Sequence, residues 1–238
     1  MVTADKLHVQ IFADGADITG IRGLRSNPLI KGFTTNPTLM KQAGIRDYLK
    51  FSEEVIEVID GLPISLEVFS DDFAEMKTQA LKLSALGSNV NVKIPITNTK
   101  SEPSSKLVSE LAKEGVSLNV TALFTLKQVA DTVSALRGSR KSYISVFAGR
   151  IADAGVDPMP IVEGALQLMR SEKQLELIWA SPREVLNIVQ ADQIGCHVIT
   201  VTHDLLKKLS GLGKDLTQFS LETVAMFAND AKNAGYTL

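Results

Sequence analysis

Apolar and polar positions alternate with a period of two in eight short segments of the chain, and between them apolar positions recur at helical spacing. The alternating segments are residues 9–14, 32–36, 64–69, 89–95, 117–121, 142–147, 176–181 and 197–201; this pattern predicts β-strands. Helical spacing predicts helices over 53–59, 72–86, 104–114, 126–136, 160–169 and 181–189. Residues 72–86, for example, place Phe73, Met76, Ala80 and Leu83 on one side. Pro182 suits the first turn of the 181–189 helix. Gly87, Gly115, Gly138 and Gly195 lie where helices should end.

Eight strands alternating with helices over 238 residues predict a closed parallel (β/α)8 TIM barrel. An open doubly wound sheet is the rival. It loses its best support because the chain has neither Gly-x-Gly-x-x-Gly nor a P-loop motif. No linker-like or repetitive stretch interrupts the pattern, so residues 1–238 read as a single domain. Beyond the eighth strand, residues 216–234 predict an additional C-terminal helix with Phe219, Val224, Phe227, Ala228 and Ala231 as an apolar stripe. That stripe needs burial on its own barrel, the simpler expectation, or on a neighbouring subunit.

Parity along the strands sorts the polar residues. In 89–95, Val90, Val92 and Ile94 share one face, and Asn91 and Lys93 the other. The same alternation sets Ile11, Leu66, Val120 and Ile144 against a second face. Across the strands that second face carries Asp14, Asn36, Glu67, Lys93, Asn119, Thr121 and Ser145. The aliphatic face suits the helix layer, so the polar face points into the barrel. A purely structural barrel fills its interior with branched apolar side chains. Convergent polar groups there cost desolvation energy unless they serve each other or a ligand.

Lys93 stands out in this set, since lysine is rarely buried unless paired. It either snorkels or pairs with a carboxylate, or it serves as a nucleophile that attacks a carbonyl to form a Schiff base. At a reference pKa of about 10.4, only on the order of one lysine in a thousand is neutral at pH 7, so the second role requires a site that favours the free amine.

Composition narrows the partners. The net charge of −2 gives no electrostatic case for nucleic acid or an anionic membrane surface. A single cysteine, Cys196, excludes an intrachain disulfide. With an N-terminus that lacks an apolar signal region, this leads us to expect a cytoplasmic protein. No apolar run is long enough to span a bilayer. His8, His197 and His203 lack metal-ligand spacing, and no metal or other cofactor is expected.

At Gly32-Phe-Thr-Thr-Asn-Pro-Thr-Leu and at Val92-Lys93-Ile-Pro the chain resembles the transaldolase family. The first motif resembles that family's turn after the second strand, and the second its Schiff-base strand. The resemblance implies an α/β barrel with the lysine on strand four, where counting also places Lys93. The length is similar to that of the small subfamily, which includes the fructose-6-phosphate aldolases. Glu67 and Phe147 are the transaldolase residues at positions where those aldolases carry Gln and Tyr.

By the same resemblance Lys93, Asp14, Glu67 and Thr121 are catalytic, and Thr34, Asn36, Asn119, Ser145, Phe147, Arg150, Ser181 and Arg183 bind substrate. Arg150, Ser181 and Arg183 would hold a phosphate, as suits arginine after barrel strands. Pro182 departs from the family's pattern between the last two. The implied activity is transfer of dihydroxyacetone between phosphorylated sugars of the pentose phosphate pathway, in a homo-oligomer of five or ten subunits. The alternatives are a fructose-6-phosphate aldolase releasing free dihydroxyacetone and a non-catalytic phosphosugar-binding barrel.

Overall fold

In the computed structural model, which describes residues 3–237, each strand pairs in parallel with the strands before and after it, and the eighth closes on the first. The strands are β1 (Gln10–Asp14), β2 (Ile30–Thr34), β3 (Ile64–Glu67), β4 (Val90–Pro95), β5 (Leu118–Leu123), β6 (Ser142–Val146), β7 (Leu175–Trp179) and β8 (Val198–Thr202). Helices follow them: α1 (Ile18–Arg25), α2 (Pro37–Gln42), α3 (Tyr48–Ile59), α4 (Phe73–Ser84), α5 (Ser105–Lys113), α6 (Leu126–Ala135), α7 (Ala148–Asp153), α8 (Met159–Met169), α9 (Leu186–Gln193), α10 (His203–Lys208) and α11 (Leu216–Ala234). The architecture is the (β/α)8 barrel with an added C-terminal helix. Among the described residues no helix is long and apolar enough to cross a membrane.

The period-two alternation divides the interior into two layers of different chemistry. Ile11, Leu66, Val92, Ile94, Leu118, Val120 and Ile144 pack outward on the helices, where they meet Val55, Met76, Leu111, Val129, Val162 and Ile188 in the main core. Inside the barrel, Phe12, Tyr143, Ile178 and Val198 form a separate apolar plug, with Phe12 and Tyr143 in edge contact at 5.7 Å between ring centroids. The plug closes the lower barrel, and the polar set lies at the C-terminal strand ends. Register keeps that set level: Glu67 pairs with Lys93, and Lys93 with Asn119.

The structure corrects several expectations. Strand β2 runs two residues earlier than the pattern implies, so Asn36 is not a strand residue. It caps α2, its side-chain oxygen accepting from the Leu39 amide at 3.0 Å, with Pro37 as the first helical residue. The helix expected over 181–189 begins only at Leu186, which leaves Pro182 in a loop; Ser181 before it adopts a left-handed backbone, φ 62°. Helices α1, α2, α7 and α10 have six to eight residues, too few to show a periodicity. The apolar stripe of α11 does not pack on its own barrel. No residue of this helix is buried, and Phe227 is 62% exposed.

Gly32 marks the tightest point of the plug. A Cβ there would sit 2.7 Å from the Phe12 ring of the adjoining strand. Gly32→Val should therefore force Phe12 out of place and cost about 1–3 kcal/mol, as overpacking typically does. Urea denaturation reads this directly; an unchanged midpoint would mean the plug yields freely.

Candidate active site

The C-terminal strand ends surround a cavity of about 560 Å³. Its wall contains all of the residues singled out from sequence: Asp14, Thr34, Asn36, Glu67, Lys93, Asn119, Thr121, Ser145, Phe147, Arg150, Ser181 and Arg183. Thr200, Thr202 and Gln42 also line it and were not foreseen. The two threonines lie on the inward parity of β8, a strand whose alternation reveals them once its inner face is fixed. Outside the barrel mouth, a depression of about 570 Å³ is lined by Met40, Lys41, Arg46, Tyr48 and Phe69. Unlike the first cavity, it has no carboxylate in its lining.

Lys93 projects from the middle of β4 and is 6% exposed. Its Nζ donates to the carbonyl oxygen of Thr35 at 2.8 Å and lies 3.1 Å from Glu67 Oε2. A buried ammonium thus has a carboxylate and a carbonyl around it, which satisfies the charge and supplies an acceptor for its proton. The Tyr48 hydroxyl donates to the Glu67 carbonyl at 2.7 Å and anchors the end of β3. Burial pushes the Tyr48 hydroxyl well above the usual tyrosine range, which keeps it a donor.

Asp14 ends β1. Its Oδ1 accepts from Thr34 Oγ1 at 2.7 Å, and Thr34 in turn meets the Thr200 hydroxyl. Burial raises the Asp14 pKa above the usual carboxylate range. The Lys93 charge and the Thr34 hydrogen bond oppose that rise, Glu67 adds to it, and His203 opposes it. Asn119 is fixed at both ends of its amide, donating to Ser65 Oγ at 3.0 Å and accepting from Ser145 Oγ at 2.7 Å. Thr121 Oγ1 is buried with no protein partner, so this cavity-lining hydroxyl is available to a water or a ligand.

Two arginines line the cavity at the ends of β6 and β7. The Arg150 guanidinium lies 5.9 Å from the Phe147 ring centre, and Phe147 leans on Phe124. Arg183 follows β7. Its Nε donates to Asp153 Oδ1 at 2.9 Å, its Nη2 to Asp153 Oδ2, and its Nη1 to Ser181 Oγ at 3.1 Å. The loop after β7 meets α7 closely: a Cβ on Gly149 would overlap the Ser181 carbonyl oxygen. Among the described residues no group of three or more His, Cys, Asp or Glu side chains is placed to hold a metal ion.

The barrel buries a lysine beside a carboxylate at its C-terminal mouth, and two arginines line the same cavity. Comparison with known proteins makes this specific. The profile of the transaldolase/fructose-6-phosphate aldolase family matches residues 11–238, and the chain belongs to that family. A probable transaldolase of Thermoanaerobacter sp. is 33% identical over 228 residues, 95% of this chain and 99% of that protein. One from Methanococcus maripaludis is 34% identical over 202 residues, 84% of this chain and 89% of that protein. Among solved structures, dihydrodipicolinate synthase from Rhodopseudomonas palustris superposes with a TM-score of 0.59 at 13% identity, covering 97% of this chain and 81% of that one, which speaks to the fold alone.

The buried Asp14 carboxyl has a measurable consequence. Between the ordinary aspartate pKa of about 3.9 and its raised native value, the folded state binds more protons than the unfolded chain. Asp14's contribution to stability is therefore greatest at the acid end and is lost as pH rises through the native pKa. Asp14→Asn cannot ionise, so its stability relative to wild type should climb over that window and then level off. Urea denaturation of both proteins from pH 4 to 8 tests this; parallel pH profiles would refute it.

Proposed function

We propose that this chain is a transaldolase that moves a dihydroxyacetone unit from a ketose phosphate, such as sedoheptulose 7-phosphate or fructose 6-phosphate, to an aldose phosphate acceptor, such as glyceraldehyde 3-phosphate or erythrose 4-phosphate. The observation that carries this reading is Lys93, buried on strand four within 3.1 Å of Glu67 in a member of this family. Glu67 takes a proton from the ammonium, and the free amine attacks the C2 ketone. A water between Glu67 and the unpartnered Thr121 hydroxyl carries the protons while the carbinolamine loses water to become an iminium.

Asp14 then takes the C4 hydroxyl proton. The C3–C4 bond breaks, its electron pair flows into the iminium, and an enamine remains on Lys93 while the aldehyde departs. Asn36, Asn119 and Ser145 suit the hydroxyls of the retained fragment. Arg150, Ser181 and Arg183 suit the distal phosphate. Phe147 has no O–H with which to protonate the enamine, so the intermediate persists until an acceptor aldehyde arrives and the steps reverse. That favours transfer over release of dihydroxyacetone.

In this reading the chain is one barrel domain working in the cytoplasm on sugar phosphates of the pentose phosphate pathway, and it needs no cofactor. It also works as a homo-oligomer: the resemblance to the small subfamily implies a pentamer or decamer, and Phe219, Leu221, Val224 and Phe227, exposed on α11 in the single chain, support assembly through that helix.

Two experiments test these statements. Purified protein given fructose 6-phosphate should form sedoheptulose 7-phosphate only when erythrose 4-phosphate is present, and Lys93→Met should lose both turnover and the borohydride-trapped adduct. Free dihydroxyacetone without an acceptor would instead make the protein an aldolase, and wild type without turnover or adduct would exclude the Schiff base. Truncation after Asp215 should reduce the assembly to single subunits by light scattering; an unchanged mass would place the interface elsewhere.

A further inference from the structure

We infer that Asp153, a residue outside the cavity wall, positions Arg183 for an anionic phosphate and thereby sets the affinity for the phosphorylated end of the substrate. The inference rests on the phosphate subsite proposed above. It starts from the geometry of one guanidinium. An arginine presents five N–H groups in a rigid plane, and Arg183 spends them unevenly. Its side-on edge, Nε with one N–H of Nη2, is held by both oxygens of Asp153. One N–H of Nη1 goes to Ser181 Oγ at 3.1 Å. What remains is one N–H on each terminal nitrogen without a protein acceptor among the described residues, two donors that a phosphate oxygen can take. Asp153 therefore holds one edge of the arginine and leaves a donor free on each terminal nitrogen.

The backbone around the pair is fixed independently. The Arg183 amide donates to Asn187 Oδ1 at 2.8 Å, and the Glu184 amide to the same oxygen at 3.2 Å. The close approach at Gly149 locks the β7 loop against α7, which carries both Arg150 and, one turn later, Asp153. The arginine side chain is nevertheless 46% exposed. Unbraced, it would sample many solvated rotamers, and a long side chain loses considerable entropy when a ligand must order it. The brace removes that loss from the binding step, which is how preorganisation raises affinity. Asp153 also limits the charge of the cluster. Two arginines and one aspartate present a net single positive charge to a phosphate dianion, so binding relies on orientation more than on accumulated charge.

Asp153→Ala tests this, with inorganic phosphate as the first probe because its binding by calorimetry does not require turnover. The Kd for phosphate and the KM for fructose 6-phosphate should both rise, on the order of tenfold, with a much smaller change in kcat. Borohydride trapping of dihydroxyacetone, which has no phosphate, should persist at close to the wild-type rate. Asp153→Glu should recover part of the affinity. In an Arg183→Ala background, Asp153→Ala should add nothing, because its effect runs through that arginine. Unchanged phosphate affinity in Asp153→Ala would overturn the inference. So would a rise that persists in full without Arg183, or an equal loss in the dihydroxyacetone adduct. A wild type that binds phosphate at Arg183 but turns over no sugar would instead count against the transaldolase reading and leave the brace standing.

Discussion

An ammonium in the middle of a barrel strand is stable only if the strands beside it deliver its partners, and much of this architecture follows from that requirement. Glu67 is the register neighbour of Lys93 on β3, and Thr35, just beyond β2, supplies a carbonyl at 2.8 Å. A slip of one residue in β4 would turn Lys93 toward the helix layer and Ile94 inward. The pair thus specifies the register as well as the site. Removing one partner from a buried pair typically costs about 3–5 kcal/mol, which makes both residues costly to exchange even apart from chemistry.

The aromatic plug makes such a polar layer affordable. Phe12, Tyr143, Ile178 and Val198 supply the apolar packing inside the barrel. The upper layer is therefore free to be organised by hydrogen bonds: Asn119 between Ser65 and Ser145, Asp14 against Thr34. These groups are oriented before any ligand arrives, the condition under which polar side chains stabilise developing charge most effectively. Thr121 is the exception, its hydroxyl unpartnered, and its place in the cavity wall explains why the protein leaves it so.

How far the sequence disclosed this depends on the range of each interaction. Lys93, Glu67, Asn119 and Ser145 were legible because strand parity is local and needs no knowledge of the partner strand. Asn36 lies in the cavity wall, but as a helix cap and not as the end of a strand. Thr200 and Thr202 obey the same parity as the others, but their aliphatic neighbours make β8 look merely buried. The Asp153–Arg183 pair spans thirty residues and joins a helix end to an irregular loop, so no periodicity announces it. The exposure of α11 was equally invisible, since an amphipathic stripe shows that a surface needs cover and not which surface provides it.

The charged groups of the cavity come from separate strands of the barrel. Asp14, Glu67 and Lys93 come from β1, β3 and β4, whereas Arg150 and Arg183 follow β6 and β7. Closed parallel topology brings these groups, from strands far apart in sequence, to one cavity without any special loop. Beside the arginines, Ser181 holds φ 62° before a proline and Gly149 admits its carbonyl. Such a backbone persists only where its surroundings over-determine it. Here the Gly149 contact, the hydrogen bonds to Asn187 and the Asp153 ion pair do so together, which orders the segment that carries Arg183.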